Sequence, residues 1–262
     1  AEASVTRLTT RDMDLSYQMR EMLEPLLLRE SMQLENPLLA IFPDSSEAER
    51  CAVDTIGWVH LLELDREVMN LPESLRSGNL YMPGNEASRA RVLHRSLQGG
   101  PVIITVSATA ALAKVPSPEK IKSSEILLET GDYPGFSKLL EQLVEMDYDD
   151  EFEVTAPGEF SRRGGIIDVW SPDSDFPVRI EFWDDQIDSM RQFNPADQRS
   201  TGIVNEYRLI CRSSLDFDES GCSFLDCANE INATIAIIDP VKLELHLDKY
   251  STVENREQLE NF

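Results

Sequence analysis

Two kinds of apolar pattern divide this sequence and constrain its fold more than any other feature. The runs Leu38–Phe42, Pro101–Val106 and Thr234–Ile238 are almost continuously apolar, which is typical of strands buried on both faces of a parallel sheet. Between about residues 152 and 193 apolar and polar side chains alternate instead, which is typical of antiparallel strands with one wet face. We therefore predict a doubly wound α/β domain with a small antiparallel α+β domain inserted into it.

The predicted elements and domain limits follow from these patterns. Helical spacing and capping residues predict helices over 12–33, 44–59, 86–97, 134–146 and 242–250. Further short strands are predicted at Leu61–Leu64, Phe152–Ala156, Gly165–Trp170, Val178–Trp183 and Ile187–Phe193. Because the pattern changes near residue 123 and returns near 206, we predict the inserted domain over 123–205. Residues 1–122 and 206–262 then form the two parts of the α/β domain.

The net charge of the chain argues against nucleic-acid binding. The 262 residues include 48 acidic and 24 basic side chains, which gives a net charge of −24. A protein that neutralises phosphates needs the opposite balance, so we expect no non-specific DNA binding by this chain alone. The apolar runs are too short to cross a bilayer, and no basic and then apolar leader opens the sequence. We therefore expect a cytoplasmic protein with no membrane partner.

The sequence lacks the residues that nucleotide or nucleophilic chemistry requires. No G-x-x-x-x-G-K-[ST] loop occurs, so a lysine for the phosphates is missing. Asp239 ends an apolar run as a magnesium-binding aspartate does, but Pro240 follows it, and a strand that ends in a turn is the simpler interpretation. Cys222 and Cys227 have a spacing that some zinc sites use, although ordinary reduced thiols are the alternative. We expect no enzyme, no cofactor and no metal.

One strand in the alternating region carries the composition of a protein interface. Val178, Ile180 and Phe182 should face the core, which leaves Arg179, Glu181 and Trp183 on the other face. An exposed arginine and tryptophan together are typical of binding hot spots, but an arginine that only covers an aromatic ring gives the same pattern. Two adjacent arginines, Arg162 and Arg163, precede the Gly164-Gly165 bend, where they serve either binding or solubility.

The stretch from about Tyr148 to Ser200 resembles the UvrB-homology region of the bacterial transcription-repair coupling factors (Mfd). The resemblance is carried by PGEFSRRGGIIDVW and by PVRIEFWDDQIDSMRQFNPADQRS, and weaker similarity extends over most of the chain. It implies a degenerate RecA-like or helicase-like layer with the inserted domain. UvrB itself is the nearest alternative, as a fragment of an ATP-dependent helicase or nuclease subunit. That family has a Walker A loop and a tyrosine-rich DNA-clamping hairpin, which this sequence lacks.

The resemblance also implies a partner and the residues that contact it. In this family the inserted domain binds UvrA, and the matching positions are Arg163, Arg179 and Trp183, with Arg162 and Glu181 beside them. Trp183 stands where the family usually has phenylalanine, which keeps a flat anchor and enlarges it. The arginine expected after Tyr148 is replaced by the acidic run 149–151. RNA polymerase and DNA are bound, by implication, through domains that this chain does not contain.

Overall fold

In the computed structural model, residues 23–73, 83–212 and 222–250 can be described. They divide into two compact units. The parallel unit comprises residues 23–73, 95–115 and 222–250, and the antiparallel unit comprises residues 83–94 and 116–212. The insertion of one unit into the sequence of the other is therefore a feature of the fold. Its mixed α/β class agrees with the prediction.

Helices and strands alternate through most of the described residues. The helices are α1 Leu23–Ser31, α2 Ser45–Leu61, α3 Pro83–Leu97, α4 Ala108–Leu112, α5 Pro118–Ser123, α6 Phe136–Glu145, α7 Phe224–Glu230 and α8 Pro240–Tyr250. The strands are β1 Leu38–Phe42, β2 Glu67–Leu71, β3 Val102–Ser107, β4 Lys114–Val115, β5 Ile126–Glu129, β6 Asp149–Asp150, β7 Glu159–Arg163, β8 Ile166–Val169, β9 Val178–Trp183, β10 Gln186–Phe193, β11 Ser200–Val204, β12 Glu206–Leu209, β13 Cys222–Ser223 and β14 Thr234–Ile237.

The parallel unit is built on a four-stranded sheet in the order β14-β1-β3-β2. All three strand pairs in it are parallel. Every residue of β1 and of β3 is buried, as the continuous apolar runs predicted, because a parallel sheet of this kind is covered on both faces. Among the described residues, no helix is long and apolar enough to span a bilayer.

Two predictions for the parallel unit need correction. No strand forms at Leu61–Leu64, because α2 continues to Leu61 and the chain then turns through Glu63, which has a φ of 50°. The second strand is Glu67–Leu71 instead. Its charged and amide side chains interrupt the apolar run by which a buried strand is predicted. Of the predicted helix 12–33, the part described is α1, and residues 12–22 lie outside the described residues.

The antiparallel unit is built on a six-stranded sheet in the order β11-β10-β9-β8-β7-β6. Its pairs are antiparallel except for the short parallel pair of β6 with β7. Helix α6 packs on one face of this sheet through Leu139 and Leu143, which are fully buried with Phe160, Ile180 and Met190. We call the opposite side of the sheet the outer face.

The antiparallel unit also contains a separate pair of strands, which bears on where the unit begins and ends in the sequence. Strand β5 pairs with β12, so that Leu128 lies opposite Tyr207, and both side chains are buried in the same core as α6. The expected boundary at residue 205 would separate these two strands. The segment Phe152–Ala156, predicted as a strand, is irregular, and its contacts on the outer face, described below, explain why.

Candidate protein-binding surface

Strand β9 divides its side chains between the core and the outer face as its alternation predicts. Val178 and Ile180 are fully buried, and the ring of Phe182 packs edge-on against Phe136, with 5.4 Å between the ring centroids. On the outer face, Trp183 is 79% exposed. The outer face therefore carries a large aromatic side chain that solvent reaches almost completely, at the end of a strand fixed on both sides by neighbouring strands.

The guanidinium of Arg179 is bound by neighbouring residues of the outer face. Its Nε and Nη2 atoms donate to the two carboxylate oxygens of Asp168, each over 2.7 Å. Asp168 is 3% exposed and lies directly opposite Arg179 on β8. The guanidinium also lies 4.9 Å from the ring centroid of Phe193. The hydrogen bonds that Arg179 donates to Asp168 raise the pKa of Arg179 against the opposing effect of partial burial. This edge of the guanidinium is therefore used within the domain.

The segment 152–156, which we call the crossing segment, covers the centre of the outer face. At one side, Arg163 of β7 donates to the carbonyl of Phe152 over 2.9 Å. At the other side, Gln198 in the turn after β10 donates to the carbonyl of Val154 over 3.4 Å. Val154 and Phe193 are both fully buried. The crossing segment is therefore held by side-chain hydrogen bonds to its carbonyl groups and by the burial of Val154, and not by strand pairing.

Arg163 lies on the outer face, whereas Arg162 does not. Arg163 pairs in register with Ile166, and Ile166 pairs with Glu181, so these three residues form one row across the sheet. Trp183 is the next outer-face position of β9 after Glu181. Strand alternation directs Arg162 toward the other face, where it lies 3.5 Å from Asp150. Four of the five expected contact residues thus share a face, and Arg162 is the exception.

The bend after the two arginines is a tight hairpin turn. Gly164 has a φ of +61°, a left-handed conformation that glycine adopts at little cost and that suits the first central position of such turns. A Cβ at Gly165 would come within 3.2 Å of the carbonyl oxygen of Phe182, whose N–H donates to the carbonyl of Gly165 over 2.8 Å. Both glycines therefore permit the turn that brings Arg163 next to Ile166 on β8, in the row that continues to Glu181 on β9.

Two exposed residues of the outer face escaped the sequence analysis. Ile203 on β11 is 78% exposed and lies opposite Arg191, which in turn lies opposite Arg179. The register of β9 and β10 shifts between Ile187 and Ser189, and this irregularity moves Arg191 to the outer face. Strict alternation from Ile187 would have directed Arg191 to the core side. No feature of the sequence marks the shift.

The acidic run that replaces an expected arginine is used within the domain. Asp149 accepts hydrogen bonds from Arg212, whose side chain is 3% exposed, and Nη2 of that arginine lies 3.0 Å from Oδ1 of Asp149. Asp150 forms the ion pair with Arg162 described above. A buried guanidinium needs a carboxylate partner, so Asp149 holds the end of the unit together instead of repelling a partner from the surface.

Carboxylate side chains lie at the strand ends of the parallel unit, which is the position where a nucleotide would bind. The carboxylate of Asp44 accepts from the backbone N–H of Glu47 at the start of α2, over 3.0 Å, and Nζ of Lys242 lies 3.2 Å from Asp44 and 2.6 Å from Glu47. Partial burial opposes the effect, but hydrogen bonds from Glu47, Ser46 and Lys242 lower the pKa of Asp44 to about 2. Asp239 caps α8 by accepting from the N–H of Lys242.

The four cysteines form no disulfide. Burial, together with the neighbouring Cys222, raises the pKa of Cys227, so this thiol is less inclined to form the thiolate that metals bind. Within residues 23–73, 83–212 and 222–250, no group of three or more His, Cys, Asp or Glu side chains has the arrangement of a metal site.

Comparison with known proteins relates this surface to a family. The sequence profile of the UvrB interaction domain matches residues 126–214. The transcription-repair-coupling factor of Bacillus subtilis (strain 168) is 36% identical over 171 residues, which cover 64% of this chain and 14% of that protein. The factor of Mycobacterium tuberculosis (strain CDC 1551 / Oshkosh) is 30% identical over 197 residues, covering 72% and 16%. The chain thus spans 14% to 16% of the length of these relatives.

Proposed function

Because this chain is related to the transcription-repair-coupling factors over most of its length and carries a UvrB interaction domain, we propose that it is a non-catalytic module that binds UvrA. In doing so it would bring excision repair to stalled transcription, in the bacterial cytoplasm. The observation that carries the proposal is the exposed ring of Trp183, fixed on β9 in the same face as Arg163 and Glu181.

The chemistry of the outer face suits a protein partner. A tryptophan has few rotatable bonds and so loses little conformational entropy when a partner buries it, and such residues dominate binding energies. Arg163 can attract a carboxylate of UvrA, while Glu181 supplies the opposite charge beside it and so favours one orientation. Arg179, which Asp168 holds, contributes by keeping the surface in shape and offers its remaining exposed edge to the partner.

The parallel unit serves, in this proposal, as a degenerate helicase-like scaffold without nucleotide chemistry. A bound nucleotide would place phosphate near the start of a helix that follows a strand. At α2 this position is taken by the carboxylate of Asp44, which accepts the backbone N–H of Glu47 that a phosphate would use. RNA polymerase and DNA are assigned to other parts of the much longer relatives. We place the limits of the UvrA-binding domain at about 116 and 214, which keeps β5 and β12 together.

The proposal is tested by titrating purified UvrA into the full chain and its Trp183→Ala variant by calorimetry. We expect binding to weaken by about 30- to 1,000-fold, as truncation of a central hot spot typically does. Trp183→Phe should retain most of the affinity. Trp58→Ala is the matched control, because Trp58 is also exposed but lies on α2. If Trp183→Ala binds UvrA as tightly as the parent does, the outer face is not the docking surface.

A further inference from the structure

Phe152 in the crossing segment is more exposed than any other large apolar side chain on the outer face. Its side chain is 87% exposed, compared with 79% for Trp183. A ring this exposed removes almost no apolar area from water on folding, so it adds almost nothing to the hydrophobic stability of the unit. Burial of apolar surface therefore does not account for a ring in this position.

The backbone around Phe152 is fixed in place although the ring is free. Glu151 donates its N–H to the carbonyl of Phe160 over 2.8 Å. Two residues further along, Val154 is fully buried, and the N–H of Thr155 donates to the carboxylate of Glu159 over 2.7 Å. The ring is therefore presented by an anchored segment and not by a mobile loop, which limits the entropy lost when a partner covers it.

Arg163 connects Phe152 to the surface already described. Its guanidinium lies 5.1 Å from the ring centroid of Phe152 and donates to the carbonyl of the same residue. The row formed by Arg163, Ile166 and Glu181 leads from there to β9, where Trp183 follows. The exposed rings of Phe152 and Trp183 are thus next to the two ends of one row on the same face.

A cleft beside Phe152 completes the site. It encloses about 520 Å³ and is lined by Asp150, Glu151, Phe152, Arg162 and Arg163. Its volume fits one or two side chains of a partner. Arg163 gives it a cation to receive a carboxylate, and the ring of Phe152 gives it an apolar wall, while Arg162 is already paired with Asp150. An apolar side chain next to an acidic one is the chemistry that such a cleft recognises.

We propose that Phe152 is a second aromatic anchor of the UvrA-binding surface and that Arg163 is the positioning residue that holds it. This inference rests on the proposed function, because UvrA is the partner in both. It adds a contact outside the positions that the sequence analysis selected. The two anchors fix the partner at two points, so that Trp183 alone determines neither the affinity nor the orientation.

The test compares UvrA binding by the full chain and by Phe152→Ala in calorimetric titrations. We expect Phe152→Ala to bind about 10- to 100-fold more weakly with an unchanged melting temperature, because the ring is almost fully exposed. Phe152→Leu, which keeps an apolar side chain, should recover part of the affinity. Phe176→Ala is the control, because Phe176 is also exposed but precedes the other end of β9.

A double-mutant cycle tests the role of Arg163. If Arg163 also holds Phe152 in position, then Arg163→Ala should weaken binding and the loss in the Phe152→Ala/Arg163→Ala pair should be smaller than the sum of the two single losses. Fully additive losses would overturn the positioning role. Parent-like binding by Phe152→Ala, with weak binding by Trp183→Ala, overturns this inference and leaves the proposed function standing. Parent-like binding by both single variants removes both.

Discussion

The two units of this molecule differ in the side chains that their sheets present. In the parallel unit, charged side chains at the strand ends are paired with each other, and in the antiparallel unit, aromatic side chains on the outer face are exposed. At the strand ends of the parallel unit, Lys242 on α8 forms ion pairs with both Asp44 and Glu47 at the start of α2. On the outer face of the antiparallel unit, Phe152 and Trp183 are mostly exposed to solvent. The comparison teaches that the side chains a sheet presents, and not the type of the sheet, determine what it can bind.

The outer face itself contains both kinds of residue. Arg179 and Asp168 satisfy each other as fully as the charges of the parallel unit do, whereas Arg163 keeps most of its surface open. An arginine of a family motif can therefore contribute to binding indirectly. It can keep a sheet rigid, and the neighbouring exposed residues then meet the partner.

Among the substitutions that test this difference between paired and exposed residues, we expect the largest effect from Arg179→Ala, which should lose stability. The substitution leaves the Asp168 carboxylate buried without its partner, so the free energy of unfolding should fall by about 2–3 kcal/mol. Urea unfolding followed by circular dichroism measures this loss. Arg199→Ala is the control, because the Arg199 side chain is 86% exposed, and it should unfold like the parent.

A stability unchanged in Arg179→Ala would mean that the pair with Asp168 does not hold the sheet. Arg179 would then belong with Trp183 as a residue used only for binding. UvrA titrations should be made at a temperature where both proteins are folded. The expected weaker binding of this variant then reflects the surface and not the unfolded fraction.

A smaller effect is expected from removing the charge that occupies the start of α2. Asp44→Asn keeps a residue that caps helices well but loses the negative charge that Lys242 contacts, so the free energy of unfolding at pH 7 should fall by about 1 kcal/mol, allowing for the partial exposure of the pair. Asp54→Asn, on the exposed side of the same helix, is the control and should have little effect.

The pH dependence of this difference follows from the direction of the pKa shift. Folding lowers the pKa of Asp44 from 3.8 to about 2, so the charge stabilises the fold above pH 3.8 and this contribution disappears as the pH falls toward 2. The gap between parent and Asp44→Asn, measured by urea unfolding, should therefore be full at pH 7 and smaller at pH 3. A gap that is constant with pH would show that the carboxylate charge is not responsible.

Much of the fold and part of the surface could be predicted from local patterns. Alternation in Val178–Trp183 gave the correct core side because the strand pairs regularly with β8. The partner of Arg179 could not be predicted, since Asp168 becomes its neighbour only through the register of β8 with β9. The crossing segment was mistaken for a strand because Phe152 and Val154 alternate with acidic residues, although one ring faces solvent and the other side chain is buried.

The smallest effect we expect concerns Arg191, which the register of β10 places on the outer face opposite Arg179. Its side chain is 45% exposed and lies 3.9 Å from Glu181, a separation at which an exposed ion pair contributes little. Arg191 therefore acts as a charge at the rim of the proposed surface, and such charges alter association rates more than affinities. Arg191→Ala should weaken UvrA binding by about 2- to 5-fold at low salt, and less at high salt because salt screens exposed charges. Stopped-flow measurement at two salt concentrations tests this expectation, with Arg50→Ala on α2 as the control. A loss as large as that of Trp183→Ala would move the centre of the interface toward β10 and β11, where Ile203 is exposed.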